Sequence, residues 1–453
     1  MADRNRSRSK RRSPARAPGG DTDAGAPVGR EAAGVAPGIE TSALERFLRY
    51  VVISTRSDEG SSSCPSTPGQ LTLLRVLVNE LAAIGLTDVS MDDHGYVMAT
   101  IPSTTSKLHV PVIGFIAHVD TSPEMQGHDI RPIVHRAYDG RDLVLPDDPA
   151  AVLRAADDPS LSAHVGHDIV TASGHTLLGA DDKAGVAEIV AAAEYLMAHP
   201  EIPHGAIRVA FTPDEEIGRG ANLFDVGRFG ALCAYTMDGG NAGELEWESF
   251  SADAMTVTFK GFNTHPGYAK ARMINAIKLA AEFITRLPAD RLSPETTDGY
   301  DGYVHPYIVE ASVERTSVRL LVRDFSTAGL EEKETFVEEL ARAVIAAHPG
   351  AGLEIRISES YRNMREILEG YPEVIECARE AIRRSGLTPV ERPIRGGTDG
   401  SRLSFMGLPT PNIFAGEHNF HSRLEWVSAQ DMDKAVETIV HLCRVWEERT
   451  AGS

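Results

Sequence analysis

The stretch VPVIGFIAH at residues 110–118 is a continuous apolar run of strand length, and it limits the possible folds more than any other feature of the chain. A strand without polar alternation is covered on both faces, which places it inside a sheet flanked by helices. Between residues 110 and 240, short apolar runs alternate with helical patterns, the signature of an α/β sheet. AGVAEIVAAAEYLMAHP (184–200) reads as a helix with Val186, Ile189, Val190, Ala193, Leu196 and Met197 on its apolar side, stopped by Pro200. Strands return at AIRVAF (206–211) and ALCAYTM (231–237).

A chain of 453 residues exceeds what one compact core accommodates, so a second domain is expected. The texture changes near residue 250. DAMTVTFKG and SVRLLVRDF alternate with a period of two, while MINAIKLAAEFITRL and LEEKETFVEELARAVIAAHP read as helices before GLEIRISES. Such strand-helix pairs suit a small α+β domain with an antiparallel sheet, inserted over residues 250–360 between two parts of the larger domain, 39–249 and 361–453. Residues 1–38 are rich in Arg, Ser, Pro, Ala and Gly and bury too little apolar surface to fold. They read as a solvated, disordered tail, with a weak electrostatic contact as the alternative.

Each strand-like run of the larger domain ends in acids or histidines. GFIAHVD ends in His118 and Asp120, LLGADDKAG carries Asp181 and Asp182, FTPDEEIG carries Asp214, Glu215 and Glu216, AYTMDGG carries Asp238, and PTPNIFAGEHNFH ends in His418 and His421. Crowded carboxylates raise one another's pKa values unless a cation, a proton or open water relieves them. A metal site is the reading that uses all five ends. Imidazole with carboxylate, and no thiolate, suits zinc, cobalt or manganese. A pair of such ions needs a bridging carboxylate and clamps a water for hydrolysis. Glu215 and Glu216 then divide the work, one binding metal and the other serving as a base. His118 and Asp120 are two apart on an extended chain, so Asp120 is placed to orient the imidazole. Each piece has an ordinary alternative: polar strand ends for H-x-D, a helix start for E-E, a capping pair for Asp182 and Lys183, a turn for Asp238. The ordered combination favours the site.

That combination resembles the dinuclear-zinc metallopeptidase family that also contains carboxypeptidase G, acylases and related dipeptidases. Longer strings, among them FIAHVDTSPE, TLLGADDKAGVAEI, FTPDEEIGRGANLFDV, YTMDGGNAGELEWESF, YRNMRE and IRGGTDGSRLSFMGLPTPNIFAGEHNFH, resemble its tripeptide aminopeptidase branch over about residues 40–445. The resemblance implies a zinc-exopeptidase-like catalytic domain with a mostly parallel sheet, a lid domain formed by the insert, and two zinc ions per subunit, with cobalt or manganese as substitutes. It further implies His118, Asp181 and Asp238 on one ion, Asp181 bridging, Glu216 and His421 on the other, Glu215 as general base and Asp120 steering His118. Asp238, where many carboxypeptidase-like relatives have Glu, favours the aminopeptidase branch. From HPGYAKARMINAIKLA, THPG supplies His265 as an oxyanion contact or a loop cap. RGGTDG supplies Arg395 for a substrate carbonyl or carboxylate, or for a structural ion pair, and VRDF supplies Arg323 as a further substrate contact. The implied activity is release of the N-terminal residue from short peptides; the rivals are another dinuclear-zinc amidohydrolase and a non-catalytic peptide-binding protein. A homodimer through the lid is the partner the family suggests.

The net charge of -20 argues against a nucleic-acid-binding body. No apolar run reaches the ~20 residues of a membrane span. Cys64, Cys233, Cys377 and Cys443 fall into no metal-knuckle spacing and read as reduced thiols, with one long-range disulfide as the alternative. The cytoplasm is the expected compartment. His109, His128, His135 and His204 are read as surface or supporting groups.

Overall fold

A computed structural model describes residues 41–451; the tail expected over 1–38 lies outside the described residues. Among the described residues the larger part is built on an eight-stranded sheet. In spatial order its strands are Thr87–Met91, Val97–Ile101, Ile207–Thr212, Ile113–His118, Cys233–Gly239, Asn412–Phe414, Glu244–Glu246 and Val390–Glu391. Ile113–His118 lies parallel to Ile207–Thr212 on one side and to Cys233–Gly239 on the other, and Asn412–Phe414 extends that parallel block. Ile113–His118 is buried at every position, as its unbroken apolar run requires. The outer strands add antiparallel pairings at both flanks, so the sheet is mixed with a parallel centre.

Parallel neighbours need crossovers, and the helix Ala180–Ala198 supplies one of them. Asp181 and Asp182 have non-helical backbone, so the regular helix begins just after them, next to the start read from sequence at 184; it is buried on nearly all sides and packed against the sheet and the C-terminal helix Ala429–Arg449. Gly185 makes the close approach possible. A Cβ there would lie 1.9 Å from the Met237 carbonyl oxygen, so any side chain would push the helix off strand Cys233–Gly239.

The chain leaves this sheet after residue 250 to form a four-stranded antiparallel sheet, in the order Tyr303–Ala311, Arg315–Asp324, Ser251–Lys260, Gly352–Tyr361. Helices Ala276–Arg286 and Thr327–Ala346 cover it and close a separate core around Val257, Phe259, Phe283, Leu320 and Val337. The sequence reading contained no counterpart of strand Tyr303–Ala311. It sits at the sheet edge, is largely exposed and carries Pro306, which an edge strand tolerates because no ladder donor is needed there. A further four-stranded antiparallel sheet joins Glu417–His418, Trp426–Ser428, Ile169–Thr171 and Ile133–His135. It anchors both ends of the loop that bears His421. All four cysteines are free thiols. Among the described residues no helix is long and apolar enough to cross a membrane.

Candidate active site

Three parallel strands end side by side, and the chain beyond each end turns over the edge of the sheet. His118 closes the first strand, opposite Thr212 at the end of the second, and Asp238 lies near the end of the third. The His118 ring is fixed from behind: its Nδ1 lies 3.1 Å from the Asp120 carbonyl oxygen and 3.3 Å from the Asp120 carboxylate. With Nδ1–H donating there, Nε2 faces the acids. It stands 2.9 Å from Asp181 Oδ1, 3.7 Å from Asp238 Oδ1 and 3.9 Å from Glu215 Oε2.

His421 makes the second half. Its Nε2 lies 2.7 Å from Glu216 Oε2 and 3.3 Å from Asp181 Oδ2. Asp181 therefore turns one oxygen toward each imidazole. His421 has a φ of 58°, a left-handed backbone that a non-glycine residue adopts at some cost and that recurs where a site needs a particular side-chain direction.

Supporting groups hold these positions through the backbone. The Asp120 carboxylate accepts the N–H groups of Glu215 at 2.9 Å and Glu216 at 3.2 Å, so one acid steers His118 and anchors the glutamate pair. Asp182 accepts the His118 N–H at 2.9 Å and the Gly185 N–H at 3.2 Å, combining the expected helix cap with a tie to the strand end. Glu425, fully buried, accepts from Leu178, Gly179 and Asp181 at 2.6, 2.8 and 3.1 Å. It thereby fastens the turn that carries Asp181 to the loop that carries His421. Sequence reading did not find Glu425 or Glu417. Their only local signal is position: Glu425 directly precedes an apolar strand, and Glu417 lies inside the quoted GEHNFH.

The electrostatics are those of an acid-rich pocket removed from water. Burial and the neighbouring Asp181 push Glu216 up to about 8, although His421 opposes the shift. Burial likewise raises Glu215 well above the carboxylate range, with His118 opposing. Asp238 and Glu417 rise for the same first reason. Burial disfavours a charged His421, but the carboxylates of Asp181 and Glu216 outweigh it and raise the imidazole to about 11. Two imidazoles do not balance Asp181, Asp182, Glu215, Glu216, Asp238 and Glu417. Ligand atoms of Asp181, Glu216 and His421 lie within 4.8 Å of one another, as do those of His118, Asp182 and Asp238 and those of Asp181, Asp238 and Glu417. Oxygen and imidazole donors at this spacing, in excess negative charge, fit divalent cations of the zinc type.

The other nominated residues stand apart. His418 does not join the cluster although the sequence puts it at the same strand end as His421. The strand stops at Phe414, Gly416 turns the chain with a φ of 79°, and the His418 ring stacks on Trp426 at 3.8 Å. His265 is exposed and caps a short turn, its Nδ1 accepting from the Gly267 N–H at 3.2 Å. Arg395 donates to the carbonyls of Gly299 and Asp301 at 2.8 and 2.9 Å and to Thr297, so it ties the inserted unit to the larger one. Arg323 lies over the Tyr361 ring at 5.3 Å, and its Nε is buried without a hydrogen-bond partner.

Residues 172–445 match the sequence profile of Peptidase family M20/M25/M40. A curated relative from Geobacillus kaustophilus, Peptidase T, is 50% identical over 408 residues, covering 90% of this chain and 99% of its own. Among solved structures, aminopeptidase PepT from Bacillus cereus superposes with a TM-score of 0.69 at 22% identity over 89% of this chain and 98% of its own. A tripeptidase from Staphylococcus aureus gives 0.71 at 20% identity over 90% and 98%. A dinuclear metal-binding peptidase of the M20 family from Bacillus subtilis gives 0.60 at 16% identity over 90% and 98%. At these identities the three structures speak to the fold.

Proposed function

The chain belongs to Peptidase family M20/M25/M40 and is a hydrolase of the metallopeptidase class, and within that family we propose that it is a tripeptide aminopeptidase. It releases the N-terminal residue from short peptides with two divalent ions, zinc by preference. The observation that carries the two-ion reading is the single carboxylate of Asp181, with one oxygen toward His118 and the other toward His421. His118 and Asp238 would hold one ion, and Glu216 and His421 the other; bound there, the ions would supply an activated water and polarise the scissile carbonyl.

The chain's own groups do the rest. Glu215 is the general base: its carboxylate, beside His118 Nε2 at 3.9 Å, takes a proton from the attacking water and returns it to the leaving amine. Its position is set by the hydrogen bond from its N–H to Asp120, which also fixes the tautomer of His118. The Peptidase T relative, 50% identical over 408 residues, supports the substrate class. Four free thiols support a reducing compartment, and we place the enzyme in the cytoplasm.

Mass-spectrometric product analysis with a free tripeptide, its N-acetylated form and an N-acyl amino acid tests this. Release of the first residue from the free tripeptide alone is expected. Cleavage of the blocked substrates instead would transfer the protein to a deacylase or carboxypeptidase activity.

A further inference from the structure

Outside the cluster just described, a second group of metal-type ligands surrounds the start of helix Ala429–Arg449. Ligand atoms of His164, His167 and Asp431 lie within 4.8 Å of one another, and the group shares no residue with the Asp181 cluster. His164 Nδ1 donates to the Ser160 carbonyl at 2.6 Å, so Nε2 turns its lone pair toward Asp431 Oδ2, also at 2.6 Å. His167 Nδ1 lies 2.8 Å from the Ser428 hydroxyl, which accepts from the Asp431 N–H, and 3.8 Å from Asp431 Oδ1. One carboxylate thus faces two imidazoles, His164 at 2.6 Å and His167 at 3.8 Å. Acceptors so arranged repel unless a proton or a cation lies among them.

Several features favour a cation. An imidazole whose far nitrogen is tied to a backbone carbonyl is the usual form of a metal-binding histidine. Two nitrogens and a carboxylate, with water completing the shell, are a recurrent zinc donor set. His164 and Asp431 are buried while His167 is partly exposed, which gives an entry path. The same nest contains His418, stacked on Trp426 and lying 5.5 Å from the His164 ring, whose Nε2 is buried without a hydrogen-bond partner.

We propose that His164, His167 and Asp431 bind an additional first-row divalent ion of the zinc type, which fastens the 164–167 loop to the start of the C-terminal helix. This site is independent of the peptidase reading. The test uses the full chain, stripped with a chelator and equilibrated with cobalt(II), with bound cobalt and its visible absorption measured per chain. His167→Gln is expected to bind one equivalent less than the wild type, with a matching loss of absorption, while tripeptide hydrolysis is unchanged. His421→Ala is expected to lose hydrolysis yet keep the equivalent that depends on His167. Because that equivalent is read as a difference, it is measured whether or not the two-ion reading stands. Asp431→Asn serves as the second variant if His167→Gln fails to fold. Equal cobalt content in wild type and variant would overturn the proposal and leave His164 and Asp431 as an imidazolium-carboxylate pair.

Discussion

The eight-stranded sheet and the inserted four-stranded sheet both carry charged residues at strand ends, yet one assembles a site and the other does not. In the larger sheet, Ile113–His118, Ile207–Thr212, Cys233–Gly239 and Asn412–Phe414 run parallel, so their carboxyl ends leave by one edge. His118, Glu215, Glu216, Asp238 and Glu417 are delivered to a common place, where the imidazoles of His118 and His421 offset only part of the carboxylate charge. In the inserted sheet adjacent strands run antiparallel, so successive ends leave by opposite edges. Its charged ends find local partners instead, Lys260 with Glu354 at 3.2 Å and Asp324 with Lys333. Parallel order concentrates charge, and antiparallel order disperses it into ion pairs.

The sharpest way to break the comparison is to remove the shared carboxylate. Asp181→Ala should lower kcat/KM by more than ~10³-fold, beyond the ~10² typical of a lost supporting partner, and should remove from the elemental analysis the ions held at that cluster. Asp324→Ala, its counterpart among strand ends of the inserted sheet, should leave hydrolysis at the wild-type level. Glu215→Gln separates chemistry from binding: kcat should fall ~10²–10⁴-fold while metal content stays at the wild-type value. Retained turnover would remove Glu215 from the role of base. Glu425→Ala leaves three backbone donors without their acceptor, and metal affinity in a competitive chelator titration should weaken ~10–100-fold. In the inserted core, Leu320→Ala should cost ~2–5 kcal/mol in denaturant unfolding of that unit without changing metal content.

These experiments also separate what the sequence makes legible from what it does not. A strand end is adjacent in sequence to its apolar run, so His118, Glu215, Glu216 and Asp238 are visible to anyone who finds the strands. The paired oxygens of Asp181 follow from the turn after Leu178, and the motif there is equally visible. Glu425 is different, because its role depends on three N–H groups more than 240 residues earlier in the chain, which no local pattern reports. His418 and His421 look alike in sequence, and left-handed backbone at Gly416, Asn419 and His421 sends them to different places. Strand Tyr303–Ala311 escapes for a related reason: an exposed edge strand needs no apolar alternation.

Lys183 gives the smallest effect. Burial lowers its amine to about 7 from an ordinary value of 10.5, with Glu425 and Asp120 opposing, and Nζ donates to the Ile53 carbonyl at 2.8 Å. Between those two pH values the unfolded chain holds the proton and the folded chain does not, so this residue makes stability rise with pH across that window and fall as pH drops toward 7. Urea unfolding at pH 7 and pH 9 should show that difference in the wild type and a smaller one in Lys183→Met.

The central claim, that parallel strand ends gather the ligands of two ions sharing Asp181, is tested most directly by anomalous diffraction from zinc-equilibrated crystals. At the Asp181 cluster two peaks are expected, distinct from any at His164 and His167, one contacted by His118 and Asp238 and one by Glu216 and His421, with a separate Asp181 oxygen on each. A single peak, or two peaks with Asp181 touching only one, would contradict the account.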